Sequence, residues 1–249
     1  MSAAGGGKRD KRRIDQLLVE RGLAGSRERA QALILAGYVR VNGQRADKPG
    51  HSLPIDSNIE VTERLRYVSR GGLKLEGALR HFGIDPTGKV CLDVGASTGG
   101  FTDCLLQHGA SRVYAFDAGT GQLDWKLRGD PRVVVREGVN ARYLTPSELP
   151  EPVDLAVCDV SFISVALILP VLASLLAANG ALVVLIKPQF EVGREQVGKG
   201  GIVRDPALHA EVCARIEAAV RALGFKTRTM ESPILGAEGN REFLLHATR

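Results

Sequence analysis

Apolar positions along the chain follow two regimes that meet near residue 70. Ahead of it, Ile14, Leu17 and Leu18 recur at helical spacing up to Gly22, and a second set, Ala30, Leu33 and Ile34, runs from Ser26 to Gly37. Glycine behind each set, and serine ahead of the second, are helix stop and start signals, so two short helices are predicted. Tyr38 to Gln44 reads as a strand entering an Asn42-Gly43 hairpin turn, and Ile59-Glu60-Val61 as a further strand after Pro49 and Pro54. Beyond residue 70 a helix is predicted over 73–82. From there strands at 89–94, 112–116, 133–136, 153–158, 181–186, 226–231 and 242–247 are interleaved with helices at 101–108, 123–127, 163–178 and 207–223. That alternation predicts an α/β domain with a doubly wound, largely parallel sheet, whose ligands bind at the C-terminal ends of the strands. The organisation expected is a disordered basic tail over 1–12, a small α+β unit over 13–66, a linker over 67–72 and the sheet domain over 73–249.

Charge separates the same two parts. The first 70 residues hold 14 Lys and Arg against 8 Asp and Glu, and the remainder 19 against 20, so the net charge of +5 originates entirely at the N-terminal end. A basic unit attached to a near-neutral domain is the electrostatic footprint of a nucleic-acid-binding appendage. No apolar run approaches the ~18 residues of a membrane span, and the first residues lack the apolar centre of a signal peptide. A cytoplasmic monomer with no membrane partner is therefore expected. The four cysteines show neither CxxC spacing nor a cysteine–histidine cluster, so buried thiols and no metal site are expected.

The chemistry is organised around Asp93-Val94-Gly95-Ala96-Ser97-Thr98-Gly99-Gly100-Phe101, a strand end, a tight turn and a helix start. Such a turn brings backbone close to a ligand and aims free helix N–H groups at it. Its spacing departs from the G-x-G-x-x-G of dinucleotide folds. Asp117 ends the next strand, and Asn140 lies just past the third. Gly193, Gly198 and Lys199 satisfy G-x-x-x-x-G-K, but Gly200 replaces the required hydroxyl and no helix follows, so a mobile loop over the site is expected there instead of a P-loop. Lys187 closes an apolar run expected to be buried on both faces, and a partly buried lysine is suited to act as a base. Asp159 ends the neighbouring strand. Lys74 and Glu242, taken singly, read as ordinary charges or a structural ion pair. Cys158 is expected to face away from the site because side chains alternate along a strand.

Arg13-Ile14-Asp15-Gln16-Leu17-Leu18, Ser26-Arg27-Glu28-Arg29-Ala30 and Gly37-Tyr38-Val39-Arg40-Val41-Asn42-Gly43 resemble, in that order, the S4 RNA-binding domain. The resemblance implies RNA contact by Arg13, Arg27, Arg29 and Arg40, to which Arg70 in the linker is added, through phosphate rather than base recognition. The glycine turn resembles the D-x-G-x-x-x-G-G loop of class I, Rossmann-like S-adenosylmethionine-dependent methyltransferases. That implies S-adenosylmethionine as cofactor, bound by Asp93, Gly95, Ala96, Ser97, Gly99, Gly100, Phe101, Asp117, Asn140 and Asp159. Lys74, Asp159, Lys187 and Glu242 match the catalytic Lys-Asp-Lys-Glu set of FtsJ-like ribose 2′-O-methyltransferases. An S4 domain ahead of such a domain, with Asp159-Val160-Ser161-Phe162-Ile163-Ser164 and Lys187-Pro188-Gln189-Phe190-Glu191-Val192-Gly193, resembles the TlyA family, also called hemolysin A. The family implies 2′-O-methylation of cytidine in ribosomal RNA. The large subunit is the expected target and the small subunit a possible one, since members acting on both tend to extend past the last strand. A membrane-active hemolysin and a catalytically silent ribosome-assembly factor are the rival expectations.

Overall fold

The computed structural model describes residues 10–61, 66–236 and 239–249. The chain divides into two compact units, 1–70 and 71–249.

The first unit runs β1 (Lys11–Arg13), α1 (Ile14–Glu20), α2 (Arg27–Leu35), β2 (Val39–Val41), β3 (Gln44–Arg45), β4 (Ser52–Pro54) and β5 (Ile59–Val61). Ile14, Leu17 and Leu18 of α1 bury against Ala30, Leu33 and Ile34 of α2, with Val39 and Ile59 closing the core. Ser26 Oγ accepts a hydrogen bond from Arg29 N at 3.2 Å, which caps α2. Asn42 and Gly43, at φ 49° and 80°, turn β2 into β3. The tail expected over 1–12 ends earlier than predicted, because Lys11, Arg12 and Arg13 pair with Pro54, Leu53 and Ser52. Three charged residues carry no alternating apolar signal; backbone pairing alone makes that strand. Residues 1–9 and 62–65 of the expected tail and small unit lie outside the described residues.

The second unit runs α3 (Gly71–Phe82), β6 (Val90–Val94), α4 (Gly100–Gln107), β7 (Arg112–Asp117), α5 (Trp125–Arg128), β8 (Val133–Glu137), β9 (Val153–Cys158), α6 (Leu169–Leu175), β10 (Leu176–Ile186), α7 (Pro206–Ala222), β11 (Lys226–Glu231) and β12 (Phe243–Thr248). Its strands lie in the order β11-β12-β10-β9-β6-β7-β8. The five from β10 to β8 are parallel, and β12 is antiparallel to both its neighbours. Chain direction across the sheet reverses between β6 and β9, the switch point at which a crevice opens beyond the strand ends. Two boundaries differ from expectation. Helix α3 takes up Gly71 and Gly72, the last residues of the expected linker. The helix expected over 163–178 shrinks to α6, because Pro170, which has no N–H, fits only its first turn and Leu176 already pairs with Val153.

Candidate active site

Gly95 and Gly99 take φ of 83° and 95°. A Cβ on Gly95 would strike the Asp159 carbonyl oxygen, and one on Gly99 the side chains of Leu127 and Leu123, so both space and conformation require glycine. At the end of β7 the Asp117 carboxylate accepts from Ser97 N at 2.7 Å and from Gly119 N at 2.7 Å, tying its own loop to the glycine turn. Between them lies a cavity of about 460 Å³ lined by Gly95, Ser97, Asp117, Asn140, Asp159 and Phe162, among others. Asp93, Ala96, Gly99, Gly100 and Phe101 do not line it. Gly100 and Phe101 open α4, and Ala96 and Phe101 are buried.

Asp93 has no exposed surface. Its Oδ2 accepts from Thr102 Oγ1 at 2.6 Å, and its Oδ1 has no partner among the described residues. Burial pushes this carboxyl up to about 7 from an ordinary 3.8, against the pull of the Thr102 hydrogen bond. The folded protein therefore keeps the proton longer than the unfolded chain, and stability falls as pH rises from about 4 through about 7. Asp93→Asn is expected to abolish that share of the slope in ligand-free protein, read as Tm against pH relative to wild type. Parallel curves for the two proteins would contradict the assignment.

At the same edge, Lys187 Nζ lies 2.6 Å from Asp159 Oδ1 as an ion pair and donates a hydrogen bond to Ser161 Oγ at 2.7 Å. Lys74 Nζ donates to Glu242 Oε2 at 2.6 Å, and that pair is almost wholly buried. Strand register explains the grouping. Ile186 pairs with Phe243 and Val184 with Cys158, so Lys187, Glu242 and Asp159 all emerge beyond neighbouring strand ends. The four residues thus form two ion pairs, of which only Asp159 lines the cavity. Cys158 is buried in the core, where desolvation pushes its thiol far up, which removes it as a nucleophile. The 193–204 segment starts no α-helix, only a single 3-10 turn over Arg194–Gln196. It is pinned by Asn240, whose Oδ1 accepts from Val203 N at 3.1 Å and whose Nδ2 donates to Gly201 O at 2.9 Å.

The first unit carries a cavity of about 530 Å³ lined by Lys11, Arg12, Arg13, Gln16, Arg27 and Ser52, among others. Behind it sits Asp15, fully buried, accepting from Arg13 Nε at 2.9 Å, Arg13 Nη2 at 2.8 Å, Arg27 Nε at 3.0 Å and Gln31 Nε2 at 3.0 Å. The Arg13 guanidinium holds the Asp15 carboxyl well below the usual range. Two half-exposed arginines fixed by one carboxylate leave a net positive, pre-oriented surface. Arg29 is turned to the Tyr67 carbonyl at 2.7 Å, Arg40 is exposed at the hairpin, and Arg70 ends the unit.

The FtsJ-like methyltransferase family model matches residues 67–249, and the S4 domain model matches residues 12–58. The Bacillus subtilis protein YqxC is 53% identical over 95% of this chain and 85% of its own length. A Mycobacterium tuberculosis protein named 16S/23S rRNA (cytidine-2′-O)-methyltransferase TlyA is 48% identical over 94% of this chain and 88% of its own. The chain belongs to the TlyA family of FtsJ-like methyltransferases. A solved Streptococcus thermophilus structure bearing a hemolysin name superposes with a TM-score of 0.76 at 47% identity, covering 97% of this chain and 89% of that one. Among the described residues no helix is long and apolar enough to cross a membrane.

Two residues of this TlyA-family site lie inside the runs 159–164 and 187–193, but nothing in the sequence assigns either a role. Phe162, in the loop after β9, takes φ 65° and is 90% exposed, its ring 5.1 Å from that of Phe190. An exposed aromatic held in a disfavoured backbone conformation is a mark of a functional site. Glu191, four residues past Lys187, has a buried side chain that reaches across to that loop. Its Oε2 accepts from Ser164 Oγ at 2.6 Å and its Oε1 from Val165 N at 2.7 Å. One carboxylate thereby latches the segment carrying Asp159, Ser161 and Phe162 to the segment carrying Lys187. Glu191→Ala is expected to lower kcat by ~10-fold or more through misplacement. Glu191→Gln should recover much of it, since its amide can accept from Val165 N and donate to Ser164 Oγ. Equal losses in both variants would contradict the latch.

Proposed function

We propose that the chain transfers the methyl group of S-adenosylmethionine to the 2′-oxygen of cytidine in ribosomal RNA, in the cytoplasm, with the large-subunit RNA as its first substrate. The observation that carries this reading is the Lys187–Asp159 pair, 2.6 Å apart, with its carboxylate in the wall of the cavity.

The cavity fits a donor of this kind. Its volume of about 460 Å³ falls in the range of small-molecule sites. Gly95 admits close backbone approach, and Asp117 keeps lone pairs beyond the two used by Ser97 N and Gly119 N. The unpartnered Asp93 Oδ1 is a reserve acceptor behind the turn. When bound, the donor supplies a methyl carbon made electrophilic by its positive sulfur. A ribose hydroxyl is a poor acid, so Lys187, once it has released its ion-pair proton to solvent, takes the hydroxyl proton on its neutral Nζ as the new C–O bond forms and the S–C bond breaks, the electron pair staying on sulfur. The resulting ammonium is met by Asp159 Oδ1 at 2.6 Å and Ser161 Oγ at 2.7 Å. Lys74, on α3, and Glu242, just ahead of β12, orient the ribose. The exposed Phe162 ring offers a face to the target base, and Arg13, Arg27, Arg29, Arg40 and Arg70 hold the RNA backbone.

Incubation with methyl-tritiated S-adenosylmethionine and purified ribosomal RNA or subunits tests the proposal. Label recovered as 2′-O-methylcytidine after complete nuclease digestion is the result expected. Label on a base, or none, would overturn it.

A further inference from the structure

Three successive loops at the carboxyl edge of the sheet each project one exposed aromatic ring. After β7 it is Trp125, 69% exposed; after β8, Tyr143, 72% exposed; after β9, Phe162. The last lines the donor cavity, but the first two do not, although Gln122, Asn140 and Ala141 beside them in the chain do.

Local structure forces both rings outward. Asp124 caps the single turn of α5 by accepting from Lys126 N at 2.9 Å, and Leu123 and Leu127, buried on either side, face inward against the glycine turn. On so short a helix Trp125 is left on the opposite face. Asn140 caps the following turn by accepting from Arg142 N at 3.1 Å, and the buried Leu144 anchors its end, which leaves Tyr143 in solvent. Each ring is next to an exposed cation in sequence, Lys126 and Arg142, and Lys126 Nζ lies 5.8 Å from the Trp125 ring centroid. The nearby acids are already engaged: Asp124 in its cap, Glu137 with Arg128 at 2.6 Å, and Asp130 with Arg132 at 2.8 Å. The surface is therefore apolar rings with positive charge, chemistry that suits unpaired bases on a phosphate backbone.

We propose that Trp125 and Tyr143 form a second RNA-contact surface, on the methyltransferase unit itself, that stacks unpaired nucleotides flanking the target nucleoside; this rests on RNA being the substrate. The surface supplies grip on the strand beside the site and takes no part in donor binding or proton removal.

Trp125 is the only tryptophan of the chain, so its fluorescence reports the contact directly. Titration of the full chain with a single-stranded ribosomal RNA fragment that it methylates is expected to quench that emission, while S-adenosylhomocysteine alone leaves it nearly unchanged. Trp125→Ala and Tyr143→Ala are each expected to raise the RNA KM by ~5- to 30-fold with unchanged kcat, unchanged donor affinity and an unchanged salt slope, because stacking releases no counterions. Trp125→Phe should restore the KM. Methyl transfer with no quenching and wild-type RNA KM in both alanine variants would overturn the inference while leaving the substrate reading intact. A parallel loss of donor affinity would also overturn it, assigning the rings to the donor site. Absence of any transfer to RNA by the wild-type chain would defeat the substrate reading itself.

Discussion

Lys187→Ala is expected to lower kcat for methyl transfer by ~10²- to 10⁴-fold, the usual weight of a positioned proton acceptor, without weakening donor binding. Lys187 does not line the donor cavity, so its removal takes no contact from that ligand. Lys187→Arg separates the two roles open to a cation here. A guanidinium keeps the ion pair with Asp159 but does not give up its proton at accessible pH, so it preserves electrostatics and removes the base. Single-turnover transfer measured alongside donor binding by calorimetry should find both variants slow and both binding normally. Wild-type turnover in Lys187→Arg would assign Lys187 a purely electrostatic part.

Glu242→Ala is expected to have the largest effect on stability. The Glu242 side chain is 2% exposed and that of Lys74 11%, so truncation strands a buried ammonium, at a cost of ~3–5 kcal/mol. For a domain of this size that corresponds to a fall in Tm of roughly 10 °C. Lys74→Met combined with Glu242→Leu removes both charges and fills similar volume, and should return most of that stability. Activity distinguishes structure from chemistry. A double variant that is stable but inactive places the pair in ribose orientation, whereas one that is stable and active makes it only a fold element.

The parallel half of the sheet was legible because β6, β7, β9 and β10 are short apolar runs bounded by turn residues, and Asp93, Asp117, Asp159 and Lys187 all punctuate their ends. Strand order was not, since no local signal says that β12 inserts between β10 and β11. That insertion, through the Ile186–Phe243 register, is what brings Glu242 beside Lys187. The cavity-lining residues Gly95, Ser97, Asp117, Asn140 and Asp159 were singled out because each sits at a strand end or turn. The rest of the glycine turn, equally marked in sequence, does not line the cavity. The roles of Glu191 and Asp15 are not legible in sequence for a different reason. Each is a buried carboxylate whose partners lie far along the chain, Ser164 for one and Arg27 and Gln31 for the other, and in sequence both look like ordinary surface charges. Phe162 looks like a core aromatic until its backbone conformation and exposure are known.

Mapping 2′-O-methyl groups across ribosomal RNA from cells carrying this chain, lacking it, or carrying the Lys187→Ala form tests the central claim most directly. A methylated cytidine present in the first and missing from the other two is the result predicted. Identical maps in all three, or a mark that survives in Lys187→Ala cells, would contradict it.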